Sequence, residues 1–127
     1  MTDAAHAWQL RKHAPAPGTR LCKLSDIDDG TGREFTFGPD KDAFRMFVVR
    51  RGEAAYGYLN ICPHFSLPLN YRPGQFTTAD GDLIMCSMHL ALFRFEDGLC
   101  IEGACPGRSL DPVPIVIDEG QVSIDPG

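Results

Sequence analysis

From residue 20 onward the apolar positions fall into short runs separated by polar and glycine-bearing stretches. The runs are "RLCKL" at 20 to 24, "EFTF" at 34 to 37, "RMFVVR" at 45 to 50 and "AAYGYLNI" at 54 to 61. They continue with "LIMC" at 83 to 86, "ALFRF" at 91 to 95, "VPIVI" at 113 to 117 and "QVSI" at 121 to 124. Runs this short, rich in β-branched and aromatic residues, predict strands. After residue 20 no segment sustains the 3.6-residue period of an amphipathic helix. Between the runs stand Arg51-Gly52-Glu53, Asp80-Gly81, Asp97-Gly98 and Glu119-Gly120. Glycine there can take the positive φ of a tight turn, so neighbouring runs are expected to pair antiparallel. The pattern predicts a small all-β domain, an antiparallel sandwich or partly open barrel.

Residues 1–17 break that pattern. They are rich in Ala, Pro and His and end in "APAPG", which reads as a flexible leader with a short helix over "DAAHAWQL", ahead of one domain at 18–127. His6 and His13 lie in this leader and match no motif.

Composition narrows the class. At 127 residues, 43% hydrophobic and 23% charged, the chain has the size and make-up of one globular domain with its own core. Its longest apolar runs, "MFVV" and "PIVI", fall far short of the roughly 20 residues of a membrane helix. The N-terminus shows no apolar stretch of the kind a secretory signal carries, so a cytoplasmic location is expected. In a reducing compartment, five cysteines favour metal chemistry over a disulfide framework. A net charge of -5 without a cluster of Lys and Arg argues against nucleic acid. An acidic surface instead suits a protein partner with a basic docking face.

The candidate chemistry lies in two Cys/His pairs, Cys62-x-His64 and Cys86-x2-His89. Iron and zinc both accept two thiolates and two imidazoles. Structural zinc sites usually group the cysteines together and then the histidines, whereas here each pair carries one of each. That arrangement suits two metal atoms treated unequally, as in a cluster where two His replace two Cys on one of two irons.

The spacing C-x-H, 21 residues, C-x2-H resembles that of the Rieske ferredoxins that serve bacterial ring-hydroxylating oxygenases. The likeness extends to "LPL" at 67 to 69, "FRFEDGLC" at 93 to 100 and "PVPIVIDEGQVSI" at 112 to 124, and so covers about residues 20 to 125. It implies a Rieske fold with two cluster-binding loops at one end and a [2Fe-2S] cofactor. Cys62 and Cys86 would hold the buried iron, and His64 and His89 the outer one through Nδ1. Phe65, Leu67, Pro68, Leu90 and Leu92 would form an apolar rim. The activity implied is that of a soluble one-electron carrier, not itself an enzyme. It would take electrons from a flavin-dependent ferredoxin reductase and deliver them to a terminal oxygenase, working as a monomer.

Leu90 and Ser66 depart from the glycines common in these ferredoxins, which bears on the partner more than on the cluster. High-potential relatives carry a disulfide between the two loops, a Ser hydroxyl on a bridging sulfide and a Tyr hydroxyl on a ligand thiolate. The corresponding positions are Leu67 and Met88, Ala91, and Phe93. With these devices missing, the potential is expected at the low end of the Rieske range of about -150 to +300 mV. Cys22, Cys100 and Cys105 are expected to be small buried residues. Other readings are a small Rieske subunit of another reductase complex, a redox sensor and a non-redox zinc module. An oxygenase would need a second iron with two further His and a carboxylate, and only His6 and His13 remain.

Overall fold

The computed structural model describes Trp8 and residues 12–39, 43–60, 76–78, 81–86, 91–103 and 109–125. Nine strands follow one another within them: β1 (Arg20–Lys23), β2 (Gly32–Phe37), β3 (Phe44–Arg51), β4 (Ala54–Leu59), β5 (Leu83–Cys86), β6 (Ala91–Arg94), β7 (Cys100–Glu102), β8 (Ile115–Asp118) and β9 (Gln121–Ile124). Every expected run yields a strand. The penultimate one begins two residues later than its run, at Ile115, and β7 was not expected at all. The helix anticipated over "DAAHAWQL" lies outside the described residues except for Trp8. No helix among those described is long and apolar enough to cross a membrane.

The strands form three antiparallel sheets of three, ordered β1-β9-β8, β2-β3-β4 and β5-β6-β7, and these do not close into a barrel. Turn chemistry sets the hairpins. Between β8 and β9, Glu119 (φ 49°) and Gly120 (φ 77°) both take the left-handed conformation of a primed two-residue turn, whose twist matches the strands it joins. Glycine is at ease there, and the glutamate is the unusual occupant.

The β2-β3-β4 sheet is the middle layer. Successive side chains of β3 point to opposite faces, and Met46, Phe47, Val48 and Val49 are all fully buried. Phe47 and Val49 join a core with Tyr58, Phe76, Ile84 and Phe93, which lies under the β5-β6-β7 sheet. Met46 and Val48 join a second core with Leu59, Val122 and Ile124, under the β1-β9-β8 sheet. The unbroken run "MFVV" is thus a strand covered on both sides. Phe47 stacks on Phe76 at 4.6 Å between ring centres. Trp8 is 1% exposed and meets Phe44 edge-on at 6.2 Å in the second core.

One buried hydroxyl ties the middle layer to the β6–β7 turn, since the Tyr58 phenol donates to the backbone oxygen of Phe95. Burial pushes the Tyr58 phenol above its ordinary range, and Asp97 and Glu96 push it further. The neutral phenol is therefore the form that the fold favours. Its contribution is complete below the unfolded phenol's pKa of about 10 and is lost as pH rises beyond it. Denaturant unfolding should show stability falling above about pH 10, and Tyr58→Phe should flatten that fall. The same change should cost about 1–3 kcal/mol at neutral pH by leaving the Phe95 oxygen unpaired.

Candidate metal centre

The position of the site follows from where two sheets are tied together. Arg51, at the end of β3, donates through Nη2 to the Asp82 backbone oxygen and pairs with Glu96 at 3.4 Å. Its guanidinium also lies 4.5 Å from the centre of the Phe95 ring. Nearby, Gly30 and Gly81 meet so closely that a Cβ built on Gly81 would be 3.0 Å from the Gly30 Cα. These contacts join one end of the middle sheet to one end of the β5-β6-β7 sheet. β4 starts at that end, three residues past Arg51, and β5 starts next to Asp82. Both strands run away from the tie; in sequence Cys62 follows the end of β4, and Cys86 is the last residue of β5.

At the end away from the tie β4 is held at Asn60, whose side chain is the buried polar one among the described residues, with 1% exposure. The Asn60 backbone N–H donates to the Arg45 oxygen at 2.9 Å. Its Nδ2 donates to a Glu34 carboxylate oxygen. Cys62 is two residues further on. In the other sheet Cys86 is the last residue of β5 and pairs with Ala91, the first of β6. The register leaves a four-residue connection at 87–90, with His89 inside it.

β6 buries Ala91 (1% exposed) and Phe93 (0%), and Phe95 (0%), the second residue past Phe93, is buried with them. Gly103, with φ +105°, comes so near that a Cβ on it would lie 2.6 Å from the Ala91 Cα. Ala91 and Phe93 supply no hydroxyl to this buried face. Leu92 is half-buried on the other face of β6, and the remaining rim residues, Phe65, Leu67, Pro68 and Leu90, lie outside the described residues. So do Cys62, His64 and His89; Cys86 is described by its backbone in β5. The donor set that these segments carry, two thiols and two imidazoles shared evenly between two loops, has the chemistry of a mixed-ligand [2Fe-2S] cluster.

The other cysteines divide in the same way. Cys22 and Cys100 are buried, as expected, and burial pushes the Cys22 thiol above its ordinary range. Cys100 packs in the core under β5 and β6, with its Sγ 3.4 Å from the Glu102 oxygen. Cys105 lies outside the described residues. His13 is exposed at φ 63° and packs on Gly38, where its Cγ would be 2.5 Å from an added Cβ. The Glu34–Asn60 pair escaped the sequence reading. A polar residue closing an apolar strand two positions before a ligand, in "LNIC", was the available signal for Asn60; Glu34 offered none.

The Rieske [2Fe-2S] domain model matches residues 19–116. Among solved structures, the chain is similar to the ferredoxin of carbazole 1,9a-dioxygenase from Nocardioides aromaticivorans IC177. The identity is 21% over 88% of this chain and 100% of that one, with a TM-score of 0.65. A chain in the complex of reduced oxygenase and oxidized ferredoxin in carbazole 1,9a-dioxygenase is 24% identical, over 88% of this chain and 95% of that one, with a TM-score of 0.68. The Sphingomonas yanoikuyae B1 ferredoxin is 23% identical, over 85% and 97%, with a TM-score of 0.62. No curated protein matches the chain. At these identities the structural likeness carries the fold.

Proposed function

The chain belongs to the Rieske [2Fe-2S] domain family, and from that premise we propose that it is a one-electron carrier feeding a terminal oxygenase. The observation that carries this reading is that β4 and β5, which lead in sequence into the two Cys/His pairs, both run away from the Arg51–Asp82 tie and finish at the opposite end of their sheets. Cys62 and Cys86 would hold the inner iron, and His64 and His89 the outer one. When bound, the cluster supplies reversible one-electron chemistry. The rest of the chain then has three tasks. The ends of β4 and β5 hold the ligand loops, the β6 face under them keeps water from the sulfurs, and the imidazole edges and apolar rim meet the partners.

The partners proposed are a flavin-dependent reductase on the donor side and a ring-hydroxylating oxygenase on the acceptor side. The likeness in fold and length to the ferredoxin of carbazole 1,9a-dioxygenase supports the acceptor, as does a similar chain in the complex of oxygenase and ferredoxin of carbazole 1,9a-dioxygenase. In this reading the protein works in the cytoplasm as a monomer, which suits a carrier that must undock after each transfer.

Electron paramagnetic resonance of the dithionite-reduced protein, with iron and zinc analysis, tests the proposal. A rhombic mixed-ligand signal with about two irons per chain is expected. A silent sample containing zinc would remove electron transfer from consideration. The midpoint potential is expected below about 0 mV, because neither Ala91 nor Phe93 brings a hydroxyl to stabilise the reduced cluster. Ala91→Ser and Phe93→Tyr should each raise it. A hydrogen bond to a charged group is worth about 1.5–3 kcal/mol, which for one electron corresponds to roughly 60–130 mV. A spectroelectrochemical titration of the two variants reads that shift directly.

A further inference from the structure

Asn60 gathers three strands at the point where the first ligand loop leaves the sheet. It closes β4, its N–H is held by the backbone of Arg45 at the start of β3, and its side-chain amide is held by Glu34 on β2. The register places Glu34 opposite Phe47, and Phe47 opposite Tyr58. Asn60, two residues beyond Tyr58, therefore shares with them the face that looks toward the β5-β6-β7 sheet. That face holds the core from which β5 carries Cys86. Glu34 is half-buried, so its carboxylate stands at the edge of this core, at the end where β4 finishes.

A neutral acceptor would satisfy the amide of Asn60 equally well. The carboxylate brings two further properties. Its hydrogen bond from an amide is charge-assisted, and stronger than a neutral one. Its charge lies close to the cluster end. The Cα of Cys62 can be no more than about 7 Å from that of Asn60, because two residues of chain span no more than that. Reduction adds one negative charge to the cluster, and a fixed carboxylate across partly apolar protein disfavours it.

We infer that Glu34 is a positioning residue of the metal centre: through Asn60 it fixes the exit of the Cys62–His64 loop, and its charge holds the reduction potential down. This rests on the reading of Cys62 and His64 as ligands.

The experiment compares Glu34→Gln and Glu34→Ala with the wild type, all loaded with cluster. The midpoint potential is followed by electron paramagnetic resonance, and the lifetime of the cluster against a chelator by its visible absorbance. Gln keeps the acceptor and removes the charge. Glu34→Gln is expected to favour the reduced state about tenfold more than the wild type does, an upward shift of about 59 mV for one electron, with an unchanged cluster lifetime. Glu34→Ala is expected to show at least the same upward shift and to lose its cluster roughly tenfold faster, as outer partners of metal ligands do when removed. A purely structural pair would lower thermal stability in Glu34→Ala and leave the midpoint of Glu34→Gln where it was. A Glu34→Gln midpoint equal to the wild type's, or a Glu34→Ala cluster as long-lived as the wild type's, overturns the inference and leaves the carrier reading standing. A wild type without the mixed-ligand signal overturns both.

Discussion

Cys86→Ala should purify colourless, with iron at background and no rhombic signal after reduction, while its far-ultraviolet circular dichroism keeps the β-sheet form of the wild type. The expectation of total loss follows from the ligand count. Each cluster iron has two protein ligands in this family, and the thiolate charge is what holds ferric iron against water. On the proposed ligand assignment, removing one thiol would leave the inner iron with Cys62 alone. The sheet is expected to survive because Cys86 is the last residue of β5, beyond Ile84, the strand's fully buried residue. Cys100→Ala provides the contrast. That thiol packs among Phe93, Phe95 and Leu110 and has no place in the ligand set. Its loss should cost about 1–2 kcal/mol of stability and leave iron content and signal at wild-type levels. If Cys86→Ala kept its two irons and its signal, the ligand assignment would have to be abandoned.

The second large effect concerns the stretch that the sequence presents as a leader. Trp8→Ala should destabilise the protein by about 3–5 kcal/mol and lower the thermal midpoint by on the order of 10 °C or more. The indole is 1% exposed and belongs to the core beneath β1 and β9, against Phe44. An indole on a freely moving segment would be dispensable. A scanning calorimetry trace of Trp8→Ala that overlays the wild type's would show that this contact contributes nothing. Trp8→Phe should recover much of the loss, since it refills most of the volume without the indole N–H.

Most strands are legible because each is short, apolar and bounded by a glycine turn, and both signals are local. β7 escaped because "CIE" has three residues, one of them the 48%-exposed Ile101, and pairs with β6 through an irregular register. The layering escaped for a different reason. "MFVV" announces a strand buried on both faces, but only the pairing of β1 with β9, about a hundred residues apart, supplies the sheet that covers the second face. The two Cys/His pairs stand out in the sequence because coordination by a loop is a matter of local spacing. Glu34 and Asn60 are 26 residues apart, and nothing local marks them as neighbours until the register of β2, β3 and β4 is known.

The pairing of the first and last strands also determines how the domain would respond to force. β1 and β9 are antiparallel neighbours, with Arg20 beside Ser123, so the chain enters and leaves the sheet at the same end. Gly18 donates to the Ile124 oxygen, and Ile124 donates back to that of Thr19. Tension applied through Thr19 and Asp125 would load these bonds one after another, as a zipper opens, and not all together as in a sheared pair. A tug between two anchored ends would therefore peel the β1-β9-β8 sheet from its edge while the sheets that carry the ligand loops still held.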